Sequence, residues 1–582
     1  MYSLTMKTPV RYNHVGYAPE DAKIFFVNKN EFCCDNTFAI LDVTGDVVYE
    51  GELKEGSFET QEECLYSGEK LWTGDFSSFK VPGKFCIRLW GAKDSSELKD
   101  YLLTEYFEIK KDWLFRQLQA NIKSFFFQRS GVELPEVFAG KWARPAAHFD
   151  DRLKFHKMME REGDWNARGG WYDAGDYGKY IVNGGISVGT LLLGCQLGES
   201  FCIRDGDECS PYIKRIWDVI NVGGSFEQPF SLKEEIRFEL EFFLRMQDSD
   251  GGVFFKVSPE HWDGFVSPRD SDVLQKRLIL GKSTTSTLNF AGALAQASCV
   301  FRRDDLEFAD CCLDASIRAY RWAVDHPEIT WPHNTEGSGG YGDDHYDDEF
   351  FWARAALFCG LSAAGKQGDE LFDSIKNALP GDMEKNPAAL GMDWRDTQNM
   401  GWILLALQNV DMPLQKKARA TLENVAAEII RLQKQDPYGI SIRRFIWGSN
   451  GEISNHALTL LVVNSWTRTV VDENLVAWSL EQLNFVYGRN PVETCFVTGA
   501  AWSSPKNPHH RLSHSDGVEE PIPGLVVGGL NSDRQDTHRA PHYASPLPGH
   551  SYTDERCSFA SNETAINWSS PLTAVLLLLC CR

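Results

Sequence analysis

The chain of 582 residues predicts two parts: a small all-β sandwich of immunoglobulin-like size over residues 1–110, then a helical toroid over 111–582. Three observations predict this. Short β-prone runs broken by turn signals fill the first part. From about Trp113 the apolar period changes to that of a helix. The helical segments are joined by long glycine- and aromatic-rich connections with no alternating strand–helix pattern, so function is expected in those loops.

In chain order, Lys23-Ile-Phe-Phe-Val27, Thr37-Phe-Ala-Ile-Leu-Asp-Val43 and Lys84-Phe-Cys-Ile-Arg-Leu-Trp90 are the strand candidates, with turns at Thr44-Gly-Asp46 and Val81-Pro-Gly83. No charged or histidine cluster there looks catalytic, so this part is expected to be structural. Farther on, Ser231-Leu-Lys-Glu234 is a capping-box pattern before apolar Ile236, Leu240, Phe243 and Leu244, and Asp248-Ser-Asp-Gly-Gly252 ends that helix. Leu422, Val425, Ile429 and Leu432 repeat the pattern ahead of Asp436-Pro-Tyr-Gly439. The alanine-rich Phe290 to Ala297 predicts helices packed closely together.

Composition narrows the function. Hydrophobic content of 43% with 24% charged residues fits a globular protein with a large core. A formal net charge of −23 excludes nucleic acid as the main partner, because phosphate binding needs a basic surface. The 15 cysteines are odd in number, scattered and without a CxxC framework, which predicts free thiols in a reducing compartment. Met1 to Val10 lacks the apolar core of a secretory leader, and the apolar run Leu572 to Cys581 is too short to span a bilayer. A cytoplasmic protein with no membrane partner and a buried C-terminal helix is expected.

Unusual chemistry collects in four loops. Gly169-Gly-Trp-Tyr-Asp-Ala-Gly-Asp-Tyr-Gly-Lys-Tyr180 sets Asp173 and Asp176 three residues apart in a glycine-rich turn. Two such carboxylates either facing one volume need a shared proton, metal ion or water, or are held by local turn hydrogen bonds. Gly337 to Glu349 is acidic and aromatic, and its last acids are expected to cap the helix entered at Phe350. Asn507-Pro-His-His-Arg511 offers imidazoles and a forked guanidinium suited to hydroxyls or a carboxylate; adjacent histidines point apart, which disfavours a two-histidine metal site. Ser551 to Trp568 carries Glu563, read as opening the apolar C-terminal helix, with Asp554 nearby. Glu563 is either a partner of the helix dipole or an acid tuned by desolvation.

In order along nearly the whole chain, these motifs resemble glycoside hydrolase family nine, the cellulase family built on an (α/α)6 barrel. Asn13-His-Val-Gly-Tyr17 and Asp75-Phe-Ser-Ser-Phe79 resemble the immunoglobulin-like module that precedes many members' catalytic domains. Gln128-Arg-Ser-Gly-Val132, the Gly170 to Lys179 turn, Asp348-Glu-Phe-Phe-Trp-Ala353, His509-His-Arg511 and Tyr552 to Trp568 complete the series. The resemblance implies an inverting mechanism in which Asp176 is the general base, Asp173 positions the water and Glu563 is the general acid. It implies that His509 and Arg511 bind the sugar where cleavage occurs, that Asp554 orders the acid's loop, and that Trp568 stacks on a sugar face.

Departures shape the expected substrate. The zinc site of some members uses cysteines where this chain has Ser130 and Ala147, with only His148 kept, so that zinc is expected to be absent; structural calcium is not excluded. Ser569 stands for a usual asparagine, Ala501 for a usual glycine, and residues 514–550 form an unusual loop-rich stretch. The expected activity is exo-cleavage of short soluble β-1,4-linked glucose or glucosamine oligomers. The alternatives are an endo-β-1,4-glucanase and a non-catalytic carbohydrate binder; retention of all three acids opposes the second.

Overall fold

Short strands, several of them buried over consecutive residues, build two β layers over the first part of the chain. One sheet orders Val10–Arg11, Ile24–Asn28, Leu71–Asp75 and Lys54–Glu55. The other orders Gly16–Tyr17, Phe107–Ile109, Gly83–Gly91, Cys34–Asp42 and Val47–Glu52, with Tyr101–Leu103 also on Gly83–Gly91. Phe25 and Val27 from the first sheet pack with Phe38, Ile40, Ile87, Leu89 and Phe107 from the second. Alternate side chains of each strand thus close a core between the sheets, as a sandwich requires. The three predicted strands fall at Ile24–Asn28, Cys34–Asp42 and Gly83–Gly91.

This computed structural model describes residues 8–60, 63–91, 101–204, 231–332, 336–467 and 474–581; the first seven residues of the stretch read as lacking a leader lie outside them. The chain divides into two packing units. The first comprises residues 1–120, 427–509 and 523–564, and the second residues 121–426, 510–522 and 565–582. The β-sandwich therefore shares its unit with later segments, among them the helices Ser449–Thr467 and Leu475–Val486.

The second unit is mainly helical. Thr284–Phe301 packs against Ile181–Arg204, Leu306–Asp325 and Asp347–Ala363, and Ile566–Cys580 packs against Ile181–Arg204. Small residues allow the close approach that the alanine-rich run predicts. A Cβ on either Gly189 or Gly292 would come within 2.7 Å of the buried Trp352 ring, so that indole occupies the space two glycines leave. Leu232–Met246 begins with the predicted capping box: Ser231 accepts from the Glu234 amide while the Glu234 carboxylate accepts from the Ser231 amide. Ile181–Ser200 is long and apolar enough to cross a membrane, but 94% of that window is buried within the protein. The C-terminal helix is buried almost throughout, as expected.

One feature of this unit was illegible in the helical pattern. Asp164–Trp165, Leu153–Phe155, Arg277–Ile279, Lys256–Pro259 and Lys179–Tyr180 form a five-stranded sheet in that order. Strands of two to four residues are too short to show a period-two pattern. The last of them is the end of the glycine-rich acid turn.

Candidate active site

The acid turn is held by its neighbours and by the side chain of its own Lys179. Gly169 and Gly170 have φ of 81° and 82°, and a Cβ on Gly170 would lie 2.6 Å from the Phe242 ring. The turn is anchored at Trp171, whose amide donates to Glu239 at 2.6 Å, and at Tyr172, whose amide donates to the Gln128 carbonyl at 2.8 Å. The Asp173 amide closes the loop on the Gly178 carbonyl at 3.0 Å. Lys179, with no exposed surface, donates to the carbonyls of Ala167 and Gly169 and pairs with Asp150 at 2.7 Å. Asp150 also takes the Arg277 guanidinium at 2.9 Å, so each buried charge has a partner, as burial demands.

Within this frame Asp173 and Asp176 are both buried. Asp173 accepts from the Asn183 amide at 2.7 Å and from the Tyr341 hydroxyl at 2.6 Å. Asp176 accepts from the Tyr180 hydroxyl at 3.3 Å. Burial first, and then the like charge of Asp176, push the Asp173 carboxyl from the ordinary range up to about 7; the Tyr341 and Asn183 donors pull it partly back.

Tyr341 comes from the Gly337–Glu349 loop, whose acids were expected to cap a helix. Asp347, Asp348 and Glu349 do lie in the first turn of Asp347–Ala363, although no side chain makes a cap hydrogen bond there. Asp348 instead accepts from the amide and hydroxyl of Thr397. The loop's contribution to the acids lies upstream. Lys256 donates to the Gly339 carbonyl at 2.8 Å, and Ser258 bonds Ser338 at 2.6 Å, fixing the loop to the strand that pairs with Lys179–Tyr180. The Tyr341 ring then meets Tyr180 edge to face at 4.8 Å. Tyr341, Tyr180 and Asn183 were missed. Asn183 follows the turn by a few residues and Tyr180 ends it, so proximity in sequence was the available signal. Tyr341 had none beyond lying in an aromatic-polar loop.

Arg511 braces the same turn. Its amide donates to the Gly175 carbonyl at 3.0 Å and its guanidinium to Gly175 at 2.9 Å and to Asp263 at 3.1 and 3.0 Å. The fork is spent in part on backbone carbonyls beside Asp173 and Asp176, an organising role that the reading of a sugar clamp did not include. His510 also joins this group: its Nε2 bonds Gln128, whose amide donates to the Ala174 carbonyl. Ile566 ties the C-terminal helix to the turn, its amide donating to the Asp173 carbonyl at 2.9 Å. Trp568, half-buried, sits two residues farther along that helix.

The remaining site candidates lie together in the first unit. His509 pairs with Glu563 as a parallel β-bridge, its amide donating to the Asn562 carbonyl at 2.8 Å and its Nδ1 contacting the Arg556 carbonyl at 2.7 Å. Asp554 accepts from the amides of Lys506 and Asn507 at 2.7 and 2.8 Å and from the Asn562 side chain at 3.1 Å. It thereby joins the histidine segment to the segment bearing Glu563. One expectation needs correction. Glu563 does not open the C-terminal helix: it is extended, with φ −71° and ψ 153°, after the short helix Phe559–Asn562. Bridges of Glu563 to His509 and of Thr564 to Val527 hold the backbone out of the helix, which starts at Ile566 with Ala565 as its N-cap. Glu563 is half-buried.

At the positions of the expected missing zinc, the Ser130 hydroxyl donates to the Gly169 carbonyl at 2.9 Å, and His148 Nδ1 contacts the Tyr172 hydroxyl at 2.8 Å. Burial holds the His148 imidazole well below its ordinary pKa, so it is neutral there.

Tyr341→Phe tests the pairing of acid and tyrosine. Loss of a donor that favours ionised Asp173 is expected to raise the Asp173 ionisation above about 7 in the pH profile of kcat/KM. A profile that does not move would separate Tyr341 from the acids.

Comparison with known proteins places these residues in a wider context. A family model described as glycosyl hydrolase family 9 matches residues 116–576, and one described as a cellulase N-terminal ig-like domain matches residues 5–94. The chain is 33% identical to a xyloglucan-specific endo-β-1,4-glucanase of Bacteroides ovatus, over 97% of this chain and 92% of that protein. It is 28% identical to a cellodextrinase of Butyrivibrio fibrisolvens, over 97% of this chain and 98% of that protein. A solved Bacteroides ovatus GH9 structure superposes with a TM-score of 0.81 at 30% identity, covering 98% of this chain and 99% of the other.

Proposed function

The chain belongs to glycosyl hydrolase family 9 and is an O-glycosyl hydrolase of the β-1,4-glucanase class, with an immunoglobulin-like domain before a helical (α/α)6-barrel catalytic domain; on that premise we propose that it is an inverting enzyme acting from one end of short, soluble gluco-oligosaccharides. The observation that carries the proposed chemistry is the buried Asp173–Asp176 pair, bonded by Tyr341, Asn183 and Tyr180, with the Asp173 carboxyl pushed up to about 7.

In this reading Asp176 carries the negative charge and takes the proton from water as the water attacks the anomeric carbon. Asp173, anchored at both oxygens, holds that water in line. Glu563 gives its proton to the departing glycosidic oxygen, so that the C–O bond breaks without releasing an alkoxide. His509 and Arg511 hold sugar hydroxyls, with Trp568 offering an aromatic face. The bonds of Asp554 to the His509 and Glu563 segments support its role as an organiser of the acid's loop.

Support for short substrates comes from the full-length match to a cellodextrinase. A second reading, endo-cleavage of a long β-1,4-glucan such as xyloglucan, is favoured by the 33% identity to an enzyme of that specificity. The cytoplasm is the proposed site of action, supported by thirteen free cysteines among the described residues. Time-resolved product analysis on cellodextrins, glucosamine oligomers, xyloglucan and cellulose tests the proposal. One short product from the earliest time point on cellodextrins is expected; mixed lengths early from xyloglucan or cellulose would establish the endo reading.

A further inference from the structure

Within the first unit lies a cavity of about 320 Å³ that none of the residues assigned to catalysis lines. Its walls include Trp502, Tyr106, Gln117, Glu105, Arg116 and Lys84. They come from the β-sandwich, from the start of the helix Trp113–Gln128 and from residues 500–502. Its size is at the lower end of the roughly 300–1,000 Å³ typical of small-molecule sites.

The chemistry of the walls selects a ligand class. Lys84 and Arg116 each lie 3.6 Å from Glu108, another wall residue, and Glu105 adds a second acid. The formal charges of these four side chains cancel, so the lining itself favours no ion of either sign. Aromatic rings at Trp502 and Tyr106, the latter 46% exposed, offer faces to apolar C–H groups. The amide of Gln117, the carboxylate of Glu105 and the guanidinium of Arg116 offer donors and acceptors around them. Aromatic faces edged by planar polar groups, without net charge, suit a neutral pyranose, which has apolar faces and a rim of hydroxyls.

The wall at residues 500–502 is built in advance. The Ser504 hydroxyl accepts from the amides of Ala500 and Ala501 at 3.1 and 2.9 Å. Ser503 accepts from the Cys495 amide at 3.1 Å and bonds the buried His14 at 2.5 Å, and the His14 ring lies 4.8 Å from that of Trp502. A ligand entering here would meet a wall already ordered, without the cost of fixing a loop.

We infer that this cavity is a second, non-catalytic saccharide site, which takes a neutral mono- or disaccharide against Trp502 and Tyr106. The inference goes beyond the proposed hydrolysis and does not depend on which substrate is cleaved.

Calorimetric titration of the full-length Asp176→Asn chain with cellobiose tests it, alone and with Trp502→Ala or Tyr106→Ala added. Two binding events are expected in the parent, with either added substitution weakening one of them about tenfold or more and leaving the other unchanged. In the otherwise unmodified enzyme, both substitutions should leave kcat/KM on a soluble aryl glycoside unchanged. Because Tyr106 is largely exposed, its variant decides the matter if Trp502→Ala fails to fold. A single binding event in the parent, two events insensitive to Tyr106→Ala, or saturable binding of acetate in place of sugar at the second event would overturn the inference.

Discussion

Glu563→Gln is expected to lose roughly 10²–10⁴-fold in kcat on unactivated β-1,4 oligosaccharides while keeping its thermal midpoint, since general acid catalysis contributes about that much. The glutamine keeps the volume and the extended backbone that the bridge to His509 holds in place, so the fold has no reason to change. What disappears is the proton for the leaving oxygen. An aryl glycoside whose leaving group departs without protonation should therefore recover most of the rate. Near wild-type turnover on cellodextrins, or equal losses on both substrate types, would remove Glu563 from the acid role.

Asp176→Asn is expected to cost at least as much, and on every substrate. A good leaving group does not replace the base, because the attacking water must still lose a proton. The substitution has a second signature. Removing the like charge beside Asp173 takes away one of the two influences that raise its carboxyl, so the ionisation near 7 should move to lower pH. Loss of turnover without that shift would indicate general disruption of the turn; retained turnover would show that another group serves as base.

Much of this organisation is legible in the sequence. The β-sandwich strands and the capping box at Ser231 followed from local pattern, because each is written in residues near in sequence. The acid turn was legible for a similar reason: Gly169 and Gly170 mark the backbone conformation that the turn requires. Illegible were the contacts made at long range. Tyr341 reaches Asp173 across 168 positions, through a loop pinned to a strand too short to announce itself. Arg511 was recognised as a charge suited to sugar, but not as a brace on the Gly175 carbonyl, since backbone acceptors leave no mark in sequence. The apolar run after Glu563 reads in sequence as one continuous helix, whereas backbone pairing of Glu563 to His509 delays the helix start to Ile566.

The central claim is inversion, with base and acid as separate groups that act once each. Following the first turnovers by proton NMR on a β-1,4-linked oligosaccharide measures it directly. The α anomer of the released sugar is expected first, with the β anomer growing in only as mutarotation proceeds. The β anomer appearing first would contradict it, and would require a covalent intermediate that the proposed roles of Asp176 and Glu563 do not provide.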